Sequence, residues 1–317
     1  MRIVITGALG HIGSRLIRDL PARISGTEIV MIDNLKTSRY GSLFHLPPSG
    51  HYRFIEADIL DLDLCRVFQG ADAVVHLAAI TDATSSFRNR DEVERVNYEG
   101  TAKVAGACME TGCPLIHMSS TSVYGTQKDL VDEDSQEGDL NPQSPYAETK
   151  LKEEQHLLSL GGSGTLRFVI LRNGTIYGIS PGMRFHTAVN KFCWQAVMGQ
   201  PLTVWRTALH QKRPYLDLRD AVEAIVFVVR GGHYDGRIYN VLSNNLTVHD
   251  IITHIESHIQ KINVQYVDSE IMNQMSYEVA NARFQELGFV FRGDLQRGIG
   301  ETIDLLKGAN RQRAPER

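Results

Sequence analysis

Cysteine is scarce in this chain: four residues in 317, Cys65, Cys108, Cys113 and Cys193, with no Cys-x-x-Cys pair among them. That excludes a disulfide framework and a paired-cysteine metal site, and the four are read as free, buried thiols. Neither sign of charge is in excess. The formal net charge is −4, which leaves no electrostatic footprint for nucleic acid or for an anionic membrane surface. Long apolar runs are missing as well; the longest, such as Ala221 to Val229, fall far short of a bilayer span, so no membrane segment is expected. The chain enters an apolar strand almost at Met1, leaving no room for a charged region, an apolar core and a cleavage site, and a cytoplasmic protein is the expectation. No internal repeat is visible. His249, His254 and His258 stand on a helical stretch, but His254-Ile255-Glu256-Ser257-His258 is not the HExxH arrangement, so they are read as a solvated face and no metal is expected.

What is present begins at the third residue. Ile3-Val4-Ile5-Thr6 runs into Gly7-Ala8-Leu9-Gly10-His11-Ile12-Gly13 and then an amphipathic helix carrying Leu16, Ile17 and Leu20. A buried strand, a glycine turn and a helix N-terminus together make a pyrophosphate cradle. Gly7 allows the tight turn, Gly10 the approach of backbone to phosphate and Gly13 the close packing of helix on sheet, with His11 and Ile12 inside the same loop. A second apolar run, Ile29-Val30-Met31-Ile32, ends in Asp33, about twenty residues on, where a carboxylate accepts from the adenosine ribose hydroxyls and repels a 2′-phosphate. The expected cofactor is therefore NAD rather than NADP, although Lys36 and Arg39 follow closely.

From Met1 to about Arg172, apolar strands alternate with amphipathic helices, the pattern of βαβ units around a parallel sheet. Helices are predicted over Glu92 to Glu110, closed by Thr111-Gly112, and over Tyr146 to Leu160, closed by Gly161-Gly162, each with a left-handed glycine cap. After Gly178 the alternation breaks into shorter pieces. The fold class expected is α/β: a doubly wound parallel sheet of the Rossmann kind over residues 1–178, a smaller mixed α/β substrate-binding lobe formed mainly by 179–307 with room for segments to return to the sheet, and a frayed polar tail at 308–317.

The chemistry is carried by Tyr146 and Lys150, four apart at the start of a helix and so on one face of it. A phenol has an ordinary pKa of about 10 and becomes a base near neutrality only beside positive charge, which a lysine one turn away supplies. Upstream, the strand Leu115-Ile116-His117-Met118 runs into the hydroxyl-rich Ser119-Ser120-Thr121-Ser122 and then Val123-Tyr124-Gly125.

Taken with the glycine turn, Asp33-Asn34, Asp58-Ile59, His76-Leu77-Ala78-Ala79, Asn97 in Val96-Asn97-Tyr98-Glu99-Gly100-Thr101, Leu171-Arg172 with Tyr177-Gly178, and Arg213-Pro214-Tyr215-Leu216-Asp217, these residues resemble the extended branch of the short-chain dehydrogenase/reductase superfamily. Within it, the closest likeness is to the NAD-dependent nucleotide-sugar epimerases and dehydratases of the UDP-glucose/galactose 4-epimerase kind. The resemblance spans nearly the whole chain. It implies Ser120, Tyr146 and Lys150 as catalytic residues, Asp58 and Ile59 at the adenine, Leu77, Ala78 and Ala79 along the cofactor's centre, and Asn34 and Asn97 among the cofactor contacts. For the substrate it implies Thr81, Ser85 and Ser122 at the sugar and Arg213 at the nucleotide diphosphate, with Asn173, Thr175 and Arg184 as further contacts. Two departures stand out: Thr175 occupies a position where relatives often carry asparagine, and the glycine turn usual before Arg213 is replaced by Arg206-Thr207-Ala208-Leu209-His210-Gln211-Lys212.

The implied reaction is removal of a proton from a sugar hydroxyl by Tyr146 while hydride leaves the same carbon, most simply C4, followed by return of hydride to the opposite face. Dehydratases of this type use an Asp-Glu pair directly after the catalytic hydroxyl; here Thr121 and Ser122 stand there, which weakens the 4,6-dehydratase reading. An epimerase is expected, with a dehydratase or decarboxylase acting on the same keto intermediate, or a net NAD(P)-dependent carbonyl reductase, as the alternatives. A nucleotide sugar is the expected substrate, and a homodimer is expected from the resemblance alone.

Overall fold

Ile3 and Ile5 of strand β1 (Arg2–Thr6) are buried on one face of a sheet and Val4 on the other, and both faces are covered. Such two-sided burial is what a run of consecutive apolar residues requires of a parallel strand. The computed structural model describes residues 1–125, 130–135, 137–162, 164–268 and 276–308. The tail expected beyond Gly308 lies outside the described residues.

Six further strands join β1: β2 (Glu28–Asp33), β3 (His51–Glu56), β4 (Ala73–His76), β5 (Leu115–Ser120), β6 (Phe168–Asn173) and β7 (Ile238–Val241). Their spatial order is β7-β6-β5-β4-β1-β2-β3 with every pairing parallel. The chain winds outward one way from β1 and the other way from β4, so the topological switch falls between these two strands. Ligands in open parallel sheets bind in the crevice at that point, beyond the carboxyl ends of the strands. Thr6 and His76, paired in register, are the last residues of the two strands there.

Helix α1 (His11–Arg23) contributes Leu16, Ile17 and Leu20 to one face of the sheet. On the other lie Val104, Ala105 and Cys108 of α2 (Gly100–Thr111) and Leu157 of α3 (Pro145–Gly161). Gly112 takes the left-handed conformation expected of it, at φ 70°. Gly162 does not: it stays right-handed at φ −60°, and the left-handed residue is Gly164. Gly161 is needed for a different reason, since a Cβ there would lie 2.4 Å from the Phe168 ring.

The helix predicted over Glu92 to Glu110 is helical from Arg90 to Thr111, but residues Glu94–Glu99 form a π-helical turn. The wider turn carries Asn97, which is buried, with its side-chain amide donating to Ile80 O (2.9 Å) and accepting from Ile80 N (2.7 Å).

Residues 218–241 fall within the stretch assigned mainly to the substrate lobe, yet they return to the sheet. Helix α4 (Leu218–Gly231) packs Ala221, Val222 and Ile225 beside α1, and β7 extends the sheet past β6. The remaining lobe is mixed. Asn244–Leu246, Arg213–Asp217 and Thr175–Tyr177 form one small sheet, Leu202–Trp205 and Val264–Val267 another, and helices Ala188–Val197, Val248–Glu256 and Leu295–Lys307 close a separate core around Tyr177, Phe192 and Ile251.

Candidate active site at the switch point

Gly7 has φ 65°, and a Cβ on it would sit 2.6 Å from Ala78 N. Both the left-handed backbone and the contact with the loop after β4 require glycine there. Gly13 is equally constrained, with a hypothetical Cβ 2.6 Å from Ala8 O, whereas one on Gly10 would meet nothing nearer than 3.3 Å, leaving that side of the turn open to a ligand. Gly7→Ala is therefore expected to destabilise the protein by roughly 2–4 kcal/mol, read as a lower urea midpoint; an unchanged midpoint would show that the turn is not under this constraint.

Asp33 braces the same turn: Oδ2 accepts from Leu9 N and Oδ1 from Leu35 N, both at 3.0 Å. Asp58 holds a neighbouring turn, accepting from Asn34 Nδ2 and from Leu60 N, each at 3.0 Å, and Ile59 is buried against Gly100. The His11 side chain faces away from the turn. Its Nε2 lies 2.8 Å from Gly178 O, and burial pushes the imidazole down to about 3, so it is neutral and donates to that carbonyl. Ser180 Oγ donates to His11 O (2.9 Å) and Gly182 N to Ser14 Oγ (3.0 Å), which straps the segment after Tyr177 onto the glycine loop. Glycine-lined space at a helix N-terminus, an acid at the end of β2 and an apolar wall from Leu77 to Ala79 fit a dinucleotide; no metal cluster is found among the described residues.

Beyond this cradle a cavity of about 460 Å³ opens between the ends of β4, β5 and β6 and the lobe. Ser120, Tyr146 and Lys150 all line it, as do Ile12, Leu77, Ala79, Thr81, Ser122, Asn173, Thr175, Arg184 and Arg213. Ser144 caps α3 by accepting from Ala147 N at 3.2 Å, and Pro145 occupies the first turn, so Tyr146 is presented at the helix start with Lys150 one turn below. Ser120 Oγ accepts from Ser122 N (3.2 Å), leaving its proton free to donate into the cavity, while the buried Ser122 Oγ and Asn173 Oδ1 have no protein partner. Ser85 is the sugar-contact candidate that the structure leaves out of the lining: its N–H and hydroxyl turn back on Asp82.

Positive charge stands at two places in the lining. Arg184 donates to the Thr81 hydroxyl and has a buried Nε without a partner; burial pulls its guanidinium below the ordinary arginine value. Arg213 lies over the Tyr277 ring, 5.0 Å from its centroid, and donates to Gln211 Oε1 at 3.3 Å. Among the described residues neither arginine is ion-paired to a carboxylate. Lys191, Asp82 and Trp205 line the same cavity, and nothing in their local sequence distinguishes them.

Residues 3–241 match the sequence profile of the NAD dependent epimerase/dehydratase family. The chain belongs to that family. It is 30% identical over 95% of its length to RHM1 of Arabidopsis thaliana, a trifunctional UDP-glucose 4,6-dehydratase/UDP-4-keto-6-deoxy-D-glucose 3,5-epimerase/UDP-4-keto-L-rhamnose-reductase, and spans 46% of that protein, so it covers about half the length of such relatives. To the uncharacterized UDP-glucose epimerase YtcB of Bacillus subtilis (strain 168) it is 30% identical, with 76% of each chain covered. Among solved structures, the UDP-glucuronic acid 4-epimerase of Bacillus cereus, in complex with UDP-glucuronic acid and NAD, superposes with a TM-score of 0.88 at 27% identity, over 98% of this chain and 100% of that one. The NAD cofactor and doubly wound sheet expected from the residues are those of the family. No helix of the described residues is long and apolar enough to cross a membrane.

Proposed function

We propose that the chain is a nucleoside-diphosphate-sugar 4-epimerase. The observation that carries this reading is the lining of one cavity: Ser120, Tyr146 and Lys150 share it, and the only carboxylate among its described lining residues is Asp82. Asp82 Oδ1 accepts from Thr84 N (3.0 Å) and Ser85 N (3.2 Å), capping a short helix rather than standing ready for proton transfer. Thr121, next to Ser120, donates its hydroxyl proton to Asn173 O at 3.2 Å. An elimination of water needs an acid and a base at the leaving group, and hydroxyls are poor substitutes for carboxylates in that work.

The glycine turn, Asp33 and the Leu77–Ala79 wall would hold NAD, which when bound would supply the hydride acceptor and donor. Tyr146 takes the proton of the C4 hydroxyl as it is oxidised and gives it back on reduction. Lys150 keeps positive charge beside the phenol, and Ser120 donates a hydrogen bond to the reacting oxygen, steadying it in both directions. Arg213 suits the diphosphate. Arg184 stands near Tyr146, at the sugar end, without an ionic partner; a hexuronate carboxylate would provide one, and the Bacillus cereus relative was solved with UDP-glucuronic acid.

The test is incubation of the purified protein with UDP-, GDP-, CDP- and dTDP-sugars, including UDP-glucuronic acid, and product identification by NMR. The expected product is the C4 epimer, with kcat/KM for UDP-glucuronic acid about tenfold or more above that for UDP-glucose. A 4-keto-6-deoxy product would identify a dehydratase, and released CO₂ a decarboxylase.

A further inference from the structure

Beneath Lys150 lies a closed set of polar side chains that the reaction as described does not use. Glu153 is fully buried, and its Oε2 accepts from Lys150 Nζ (2.9 Å) and from Thr101 Oγ1 (3.1 Å). Thr101 has one proton and gives it to Glu153, so at its oxygen it must accept from His76 Nε2, 3.1 Å away. That fixes the His76 tautomer: Nδ1 is the acceptor, and Thr6 Oγ1 donates to it at 2.7 Å. Thr6 Oγ1 in turn accepts from the backbone N–H of Leu77 (3.2 Å) and Ala78 (3.3 Å). Every bond in the chain has one possible direction, running from the Leu77–Ala78 wall through β1, β4 and α2 into a carboxylate on α3.

We propose that Glu153 is a positioning residue of the reaction, anchoring the Lys150 ammonium under Tyr146 and locking it in register with the loop that lines the cofactor cradle. The inference rests on the proposed roles of Tyr146 and Lys150. A lysine ammonium has three protons, so the one committed to Glu153 leaves two for the cavity. The other titratable and charged groups facing the pair are His117 from β5, His76 from β4, and Tyr146 and Glu154 from α3 itself. His117 Nε2 lies 3.1 Å from Glu153 Oε2 but out of line for a hydrogen bond, and Arg172 pairs with Glu154.

The charges are ordered by this geometry. Burial opposes the Lys150 ammonium, but Glu153 more than offsets it and the group titrates above the ordinary lysine range. Burial likewise opposes the Glu153 carboxylate, and the Lys150 ammonium overrides it, holding the carboxyl at about 2. Desolvation drops His76 to about 3, in keeping with the neutral tautomer that the hydrogen bonds demand. In Glu153→Gln the size is kept and the counter-charge is lost. A buried ammonium without it releases its proton at lower pH, and while it remains charged its field on the phenol is no longer cancelled, so the phenol ionises at lower pH too.

The test compares parent, Glu153→Gln and Thr101→Val with the nucleotide sugar converted in the product assay, and follows phenolate absorbance against pH in the same proteins, with Tyr146→Phe as blank. Glu153→Gln is expected to move both limbs of the kcat profile and the Tyr146 absorbance step downward by about half a pH unit or more. It should also lower kcat about tenfold with KM within about twofold. Thr101→Val spares the charge pair and breaks the relay, so it should lower kcat severalfold with the limbs in place. A Glu153→Gln profile and absorbance step superimposable on the parent's would overturn the inference; should that variant not fold, parental kcat in Thr101→Val does the same. Turnover in Tyr146→Phe within tenfold of the parent's would instead overturn the reading of the site, so the two failures are distinguishable.

Discussion

Tyr146→Phe is expected to lower kcat by about 10³-fold or more while NAD affinity stays within about twofold and the free energy of unfolding within about 0.5 kcal/mol of the parent. The change removes one oxygen from a partly exposed side chain at the first turn of α3. Its backbone N–H, which donates to Ser86 Oγ at 3.3 Å, is untouched, and the ring remains to fill the same space. No buried donor or acceptor is stranded, so stability has little reason to move. Turnover does, because Lys150, Asp82 and Ser120, which line the same cavity, are not free to take the C4 proton in its place. Lys150 is held protonated by Glu153, the Asp82 carboxylate caps a helix, and Ser120 is a donor. Single-turnover measurement of enzyme-bound NADH separates this from a binding defect: the variant should bind substrate and form no reduced coenzyme. Turnover within tenfold of the parent would remove Tyr146 from the role of base.

Much of this site was legible in the sequence because its central parts are local. Gly7, Gly10 and Gly13 form one turn, Tyr146 and Lys150 one helical turn, and Ser119 to Ser122 one strand end, and short spacings fix the geometry of each. The doubly wound sheet was legible for a related reason, since a strand buried on both faces must be a continuous apolar run. What was not legible depends on partners far apart in the chain. The return of residues 218–241 to the sheet is decided by pairing of β7 with β6, some seventy positions apart in register, as Ile238 with Ile170 shows. Glu153 in Lys150-Leu151-Lys152-Glu153-Glu154 reads as part of a solvated helix face, and only the placement of Thr101 and His117 against α3 buries it. Asn97 carried a motif but not its use: in the structure its amide anchors Ile80 and so positions the loop beside the cofactor cradle. Arg184 and Arg213 stand among the expected substrate contacts, but Lys191, seven residues after Arg184, does not, and nothing in its stretch of sequence shows that it lines the same cavity.

The largest effect on stability is expected one residue along the same helix. Glu154 is almost fully buried and takes Arg172 in a bidentate pair, Nη2 to Oε2 at 2.6 Å and Nε to Oε1 at 2.9 Å, while Ser119 Oγ donates to Oε1 at 2.5 Å. Arg172 Nη1 donates to the Tyr124 hydroxyl at 2.9 Å, and that hydroxyl lies 3.0 Å from Asn240 Oδ1, so the pair ties α3 to β5, β6 and β7 at once. Removing one member of a buried ion pair strands the other's charge in an apolar interior, whereas replacing both lifts that penalty. Arg172→Met should therefore lower the free energy of unfolding by about 3–5 kcal/mol, and adding Glu154→Gln should recover about half of the loss or more, because glutamine still accepts from Ser119 and carries no charge. Urea denaturation of parent, single and double variants measures the cycle. The single variant should also lose activity more than the double, since a displaced Glu154 drags on Ser119, the neighbour of Ser120. A loss below about 1 kcal/mol in Arg172→Met, or a double variant weaker than the single, would mean that the pair does not organise the end of β5 and that the hydroxyl run holds its shape by backbone pairing alone.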